Sequence, residues 1–222
     1  VDLLSFPNDS VKTIYTACRT CYSANYPIEI WEESADREKM LSLIKKVLSS
    51  GHHSTIEHCQ FVFAICGVSR ACTHQLVRHR HMSFSQKSQR YVKEKGQFDF
   101  IMPPTIDRDP ELKAKFVDFM DEISKKYLEF TEAGIPAEDA RAVLPNACAT
   151  SIVASLNLRE MIHIANLRLC SRAQYEIRMM VKAMCDELIN VEPWLKPYLV
   201  PKCESLGFCD EDKSCGRMKK LE

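Results

Sequence analysis

The sequence predicts an α+β fold: one domain over residues 1–222, with a central, mostly antiparallel sheet flanked by helices. Three observations carry this. The chain has 222 residues, 45% of them hydrophobic and 27% charged, which suits one substantial core. Helix-period and strand-like apolar runs both occur. No internal repeat, low-complexity tract or linker divides the chain.

The elements follow in order. Val1–Pro7 reads as an edge strand and Asp9–Thr20 as a short helix. Asp36–Ser50 is a firmer helix: Met40, Ile44, Val47 and Leu48 recur at helical spacing, and Gly51 stops it. Gln60–Val68, apolar on both faces and rich in β-branched and aromatic residues, suits a buried strand. Asp109-Pro110 starts the clearest helix, with Leu112, Phe116, Met120, Ile123, Tyr127 and Phe130 on one stripe and Gly134 after it. That stripe is read as core or subunit packing. Pro136–Leu144 is a short helix ended before Pro145. Thr150–Leu156 is a strand, Asn157 caps the next helix, and helices span about Leu158–Leu169 and Arg172–Asn190. From about residue 194 the tail reads as irregular and contains cysteines.

Charge narrows the function classes. Lys+Arg and Asp+Glu number 30 each, so overall charge predicts no avid nucleic-acid or membrane surface. No apolar run approaches the ~20 residues of a spanning helix, and no signal-peptide pattern opens the chain, so a cytoplasmic location is expected. The 11 cysteines then read as reduced thiols.

The charges are locally segregated. Between Glu57 and Glu94 there is no acidic residue, while Arg70, Arg78, Arg80, Lys87, Arg90 and Lys93 fall there. From Ala140 to Tyr175 only Glu160 stands against Arg141, Arg159, Arg168 and Arg172. Arg78, Arg80 and Arg90 alternate with Ser83, Ser85 and Ser88 and with the amides Gln86 and Gln89. Guanidinium forks bind phosphate, and hydroxyls and amides can read a neutral base edge. A basic surface loop and an oligonucleotide groove stacking on Phe84 or Tyr91 are the competing readings. A neutral chain without a recognisable nucleic-acid module favours small phosphate-bearing ligands.

Residues 78–90 read RHRHMSFSQKSQR, which closely resembles the RHRxxSxNxxSxR signature of flavin-dependent thymidylate synthases. Ser85 stands where that family commonly has Asn, and Gln86 where many members carry Glu. The resemblance extends to Gly51-His52-His53-Ser54-Thr55-Ile56-Glu57-His58, to Arg141-Ala142-Val143-Leu144-Pro145, and to NLREMIHIANLRLCSRAQYEIR at residues 157–178.

The resemblance implies reductive methylation of dUMP to dTMP, with FAD as cofactor and NADPH and methylenetetrahydrofolate as co-substrates. It implies dUMP contacts at Gln75, Arg78, Gln86, Lys87, Ser88, Gln89, Arg90, Arg141 and Arg168. Arg168 corresponds to the catalytic arginine at the uracil edge, where it would favour ionised N3. Flavin contacts carry over to Ser54, Arg78, His79, Arg80, Asn157, Arg159 and His163. A homotetramer with sites shared between subunits is implied too, so the two arginine windows would meet between chains. Activation of the base is expected to be electrostatic, without an attacking cysteine; Cys59, Cys66, Cys72 and Cys148 read as small core residues. A flavin-storage protein would have no need of the nucleotide clamp.

No metal is expected. The spacings of His52, His53, Glu57 and His58 match neither HExxH nor HxxEH. Cys18 and Cys21 form a lone CxxC, and the five-residue gaps between Cys203, Cys209 and Cys215 fit no common zinc pattern.

Overall fold

The computed structural model describes residues 1–94 and 96–220. In chain order its elements are β1 (Asp2–Ser5), α1 (Ser10–Thr20), α2 (Pro27–Glu32), α3 (Arg37–Ser49), β2 (Gln60–Ser69), α4 (Arg70–Leu76) and β3 (Met82–Gln86). Then come α5 (Pro104–Asp107), α6 (Pro110–Glu132), α7 (Ala137–Ala140), β4 (Ala149–Asn157), α8 (Leu158–Arg168), α9 (Tyr175–Val191) and α10 (Lys202–Leu206). Single 3₁₀ segments lie at His53–His58, Arg141–Val143 and Pro193–Leu195. The four strands form an antiparallel sheet of order β1-β2-β4-β3, which bears out the α+β class.

The chain forms two compact units: residues 1–64, 79–83 and 154–222, and residues 65–78 and 84–153. In the first, α1 packs on α2, α3 and the His53–His58 segment, and α8 on α9. Asp9 caps α1 by accepting from the Lys12 amide at 3.0 Å. Val11 and Ile14 of α1 and Leu41, Ile44 and Leu48 of α3 are buried where the two helices pack, at the 3–4 residue spacing of amphipathic helices. Phe61 and Phe63 of β2 are fully buried here, as are Ile177, Val181 and Leu188 of α9. Buried Glu192, just after α9, accepts from Ser10 Oγ and from Arg37 Nη2 at 2.6 Å, tying three segments of this unit together.

The second unit has its own cluster. Phe98, Met120 and Cys148 are buried, with Phe100, Phe116, Ile123 and Leu144 packed against them. Phe100 and Phe116 meet edge to face at 5.8 Å. Ser69 accepts from the Cys72 amide to cap α4, and the Arg70 and Ala71 amides donate to the Cys148 and Asn146 carbonyls at 3.0 Å.

Several expectations change. β2 is not buried on both faces: Phe61, Phe63 and Ile65 are buried, whereas Val62 and Ala64 are half-buried and Cys66 is exposed, the alternation of a half-covered strand. The α6 stripe is core only at its middle; Met120 and Tyr127 are buried, but Leu112 and Phe130 stand 49% and 40% exposed. α9 begins at Tyr175, not Arg172, because Gln174 caps it by accepting from the Ile177 amide. The tail is not wholly irregular, since it holds the Pro193–Leu195 turn and α10. The signature, for which the sequence reading places no strand, contains β3, whose side chains alternate in exposure from Met82 to Gln86.

Candidate functional site

The residues singled out from sequence divide between the two units. Gln75, Arg78, Gln86, Lys87, Ser88, Gln89, Arg90 and Arg141 lie in the second; Ser54, His79, Arg80, Asn157, Arg159, His163 and Arg168 lie in the first.

In the second unit, a cavity of about 420 Å³ is lined by Arg70, Thr73, His74, Gln86, Gln89 and the Leu144–Asn146 turn. The end of β3 brings Gln86 there, and its amide donates to Thr73 Oγ1 at 2.8 Å. The Lys87 amide donates to the Ser151 carbonyl at 2.9 Å, and Arg70 Nη1 donates to the Lys87 carbonyl at 3.4 Å. Gln89 donates to Cys148 Sγ at 3.5 Å. Arg70, Thr73, Gln86 and Gln89 of this wall thus have named partners. Outside it, Lys87 pairs with Glu94 at 2.7 Å and Arg90 with Glu138 at 2.6 Å, while Arg141 Nε donates to the Glu138 carbonyl at 3.1 Å. The basic window is therefore partly neutralised by acids from outside it. Arg78 is exposed and, among the described residues, has no ion pair. Gln75 and Ser88 are half-buried.

In the first unit, the start of α8 organises a second cavity. Asn157 Oδ1 accepts from the Glu160 amide at 2.9 Å, as the sequence predicted for a cap, and the Leu158 amide donates to the Cys59 carbonyl at 2.9 Å. That link sets α8 beside the His53–His58 turn, where Arg159 pairs with Glu57. The cavity, about 440 Å³, is lined by Glu57, His81, Asn157, Arg159, Glu160 and His163. Arg159 and His163 also line a neighbouring cavity of about 490 Å³, whose walls include Leu48, Ile56, Ile162 and Tyr198. Ser54 and Arg80 are exposed.

His79 and Arg168 meet directly. Arg168 Nε donates to His79 Nε2 at 3.1 Å. His79 Nδ1 lies 3.8 Å from Glu160 Oε1, and His163 meets the ring edge-on at 6.3 Å. Burial first, then the charge of Arg168 and the ring of His163, lower the His79 pKa to about 4. At neutral pH the Glu160 contact is therefore a carboxylate beside a neutral imidazole, not an ion pair. The donor from Arg168 leaves Nε2 bare and puts the proton on Nδ1, on the side of Glu160.

This depression has a stability consequence. Above the unfolded histidine pKa of about 6.5 neither state carries the proton; below it the unfolded chain gains one that folded His79 refuses. His79 thus lowers stability as pH falls from about 6.5 towards 4. Denaturant titrations should give a steeper loss over that interval for the wild type than for His79→Gln.

Sequence reasoning missed Glu57, His81 and Glu160 as lining residues. Glu160 had a signal, being the one acid in the second basic window. The cysteines separate: Cys59, Cys72 and Cys148 are buried as expected, but Cys66 is exposed. Burial pushes the Cys59 thiol up to about 12, and Cys148 is raised for the same leading reason. Cys170, Cys203, Cys209 and Cys215 share the wall of a small cavity in the tail. Among the described residues no group of three or more His, Cys, Asp or Glu is placed to hold a metal ion. None of the described helices is long and apolar enough to cross a membrane.

The family described as thymidylate synthase complementing protein matches residues 2–194. The chain belongs to the flavin-dependent thymidylate synthase family. Among its relatives of that name, the protein of Nitratidesulfovibrio vulgaris is 43% identical over 98% of this chain and 94% of its own. That of Clostridium tetani is 40% identical over 100% and 96%, and that of Pyrococcus abyssi 39% over 95% and 89%. Both arginine windows and all four resembling segments fall inside the matched span.

Proposed function

We propose that this chain methylates dUMP to dTMP, taking the carbon from methylenetetrahydrofolate and the hydride from NADPH by way of FAD. The observation that carries the substrate assignment is the cavity lined by Arg70, Gln86 and Gln89, in the unit that also holds Arg78 and Arg90. Amides discriminate a neutral base edge, and guanidinium groups take the phosphate. Gln75, Arg78, Lys87, Ser88, Arg90 and Arg141 complete the nucleotide clamp in this reading.

The first unit fits the cofactor. A diphosphate suits the N-terminal amides of α8 together with the Asn157 amide, Arg159 and Arg80. The apolar walls at Leu48, Ile56 and Ile162 suit a flat ring system, with Ser54, His79 and His163 as the family's remaining contacts. When bound, the flavin supplies two-electron hydride transfer between NADPH and the one-carbon unit. The overall change replaces C5–H of uracil by C5–CH₃; methylenetetrahydrofolate leaves as tetrahydrofolate, NADPH as NADP⁺, and the C5 proton goes to solvent.

C5 becomes nucleophilic only when negative charge is drawn into the uracil ring. Arg168 is the catalytic residue for that, its guanidinium favouring an ionised N3. Cys59 and Cys148 are poor alternatives, since burial raises both thiols and holds them protonated. Assembly as a cytoplasmic homotetramer is part of the proposal. It is supported by the apolar side chains that α6 leaves exposed, Leu112, Phe119 and Phe130, a face that another copy would cover. The whole of residues 1–222 would then act as one synthase domain.

Chromatographic detection of dTMP tests the reaction. Product should require dUMP, methylenetetrahydrofolate, NADPH and flavin together; product formed without flavin would sink the proposal. The clamp has its own test. Arg90→Ala should weaken dUMP binding about tenfold or more, the worth of one charge-assisted contact, with flavin content unchanged. Since Arg90 is paired with Glu138, part of its affinity is set by that competition.

A further inference from the structure

We infer that His79 is a positioning residue for Arg168: its Nε2 anchors the guanidinium through Nε–H, while Glu160 on the far side of the ring keeps the imidazole proton on Nδ1. The inference rests on the reading that Arg168 serves the uracil ring, and it assigns His79 and Glu160 a task distinct from touching the flavin.

The geometry carries it. His79 is 6% exposed and Glu160 7%, so neither presents much surface to a ligand. The ring is enclosed by groups of α8: Arg168 at Nε2, Glu160 towards Nδ1 and His163 edge-on. Arginine has one Nε–H and four Nη–H donors. Spending the single Nε–H on His79 restrains the guanidinium and leaves both Nη groups for a ligand. Arg168 is also the last residue of α8, where the chain turns and the backbone constrains a side chain least. A long arginine with ~2 kcal/mol of rotamer entropy needs such a tether if its fork is to be in place before substrate arrives.

The chemistry requires a neutral ring. A protonated imidazole has no acceptor and would repel the guanidinium; the other neutral tautomer would point a donor at a donor. Glu160 selects the useful form electrostatically, and burial with the charge of Arg168 disfavours the protonated one. The acid that stood alone in a basic window is thereby explained. It is placed behind the histidine, one contact removed from the arginine, where it biases the tautomer without neutralising the fork.

The test uses full-length, flavin-loaded protein in five forms: wild type, His79→Ala, His79→Gln, Arg168→Ala and the His79→Ala/Arg168→Ala double variant. Flavin content, dUMP affinity by calorimetry, and turnover are measured for each. His79→Ala should lose about tenfold or more in dUMP affinity or in turnover per bound flavin, as expected for one hydrogen bond to a charged donor. His79→Gln, whose side-chain oxygen can accept from Arg168, should recover most of that loss. The double variant should be no worse than Arg168→Ala alone, because a residue acting through Arg168 has nothing left to act on. ¹⁵N NMR of the wild-type His79 ring should show the Nδ1–H form, with Nε2 shifting in Arg168→Ala. Multiplicative losses in the double variant, or loss of flavin with normal turnover per bound flavin, would overturn the inference. A wild type that folds and binds flavin but not dUMP defeats the underlying reading of Arg168, and does so before any variant is compared.

Discussion

Arg168→Ala should remove catalysis while leaving the fold and flavin content in place. Its proposed task is to stabilise charge that develops on the uracil ring, and removing one such preorganised donor costs about 10²–10³ in turnover. The structure adds two refinements. The side chain is half-buried and its Nε–H already committed to His79, so the guanidinium is set before substrate binds. Deleting it strands the buried His79 Nε2, a desolvation cost of about 1–3 kcal/mol. A modest fall in thermal stability should therefore accompany the kinetic defect, and His79→Ala combined with it should give part of that stability back. Steady-state dTMP formation and a melting curve check both; turnover within a few-fold of wild type would remove Arg168 from the chemistry.

Phe63→Ala should be the most damaging single truncation in the core. Phe63 sits in the middle of β2, fully buried, opposite Leu3 of β1 across the antiparallel register. Its ring fills space that a short edge strand cannot close over, so the cavity persists. Phe→Ala at such a site costs about 3–5 kcal/mol. For a chain of this size that corresponds to a fall in melting temperature of about 10 °C. Phe63→Leu should cost much less, because most of the volume is retained. A drop of under about 2 °C for the alanine variant would mean that the core is not built around this strand.

The sequence made the long amphipathic elements legible because their signals are redundant. α3 has Met40, Ile44, Val47 and Leu48 at helical spacing with Gly51 after it, and α6 has Asp109-Pro110 at its start. Asn157 was legible as a cap because Glu160 lies three residues on. Short elements lacked such redundancy. α4 has only seven residues, its strongest cue being Ser69 at the end of a strand. β3 was masked by its chemistry: Ser83, Ser85 and Gln86 suggest a loop, although Met82–Gln86 alternates as a half-exposed strand. Of the candidate site, the residue types were legible. The partnerships were not. Glu138 with Arg90, Glu57 with Arg159 and His79 with Arg168 are 48, 102 and 89 residues apart, and no local spacing encodes them. The split of the expected site residues between two units was equally invisible, since Arg78 and His79 are neighbours in sequence yet fall in different units.

The measurement that bears most directly on the central claim is the visible spectrum of the purified protein, followed anaerobically as NADPH is added with and without dUMP. A bound flavin that bleaches with NADPH, and bleaches faster when dUMP is present, is the predicted result, because it requires the nucleotide and cofactor sites to be coupled in one enzyme. A protein that neither carries nor takes up FAD would contradict the account at its root.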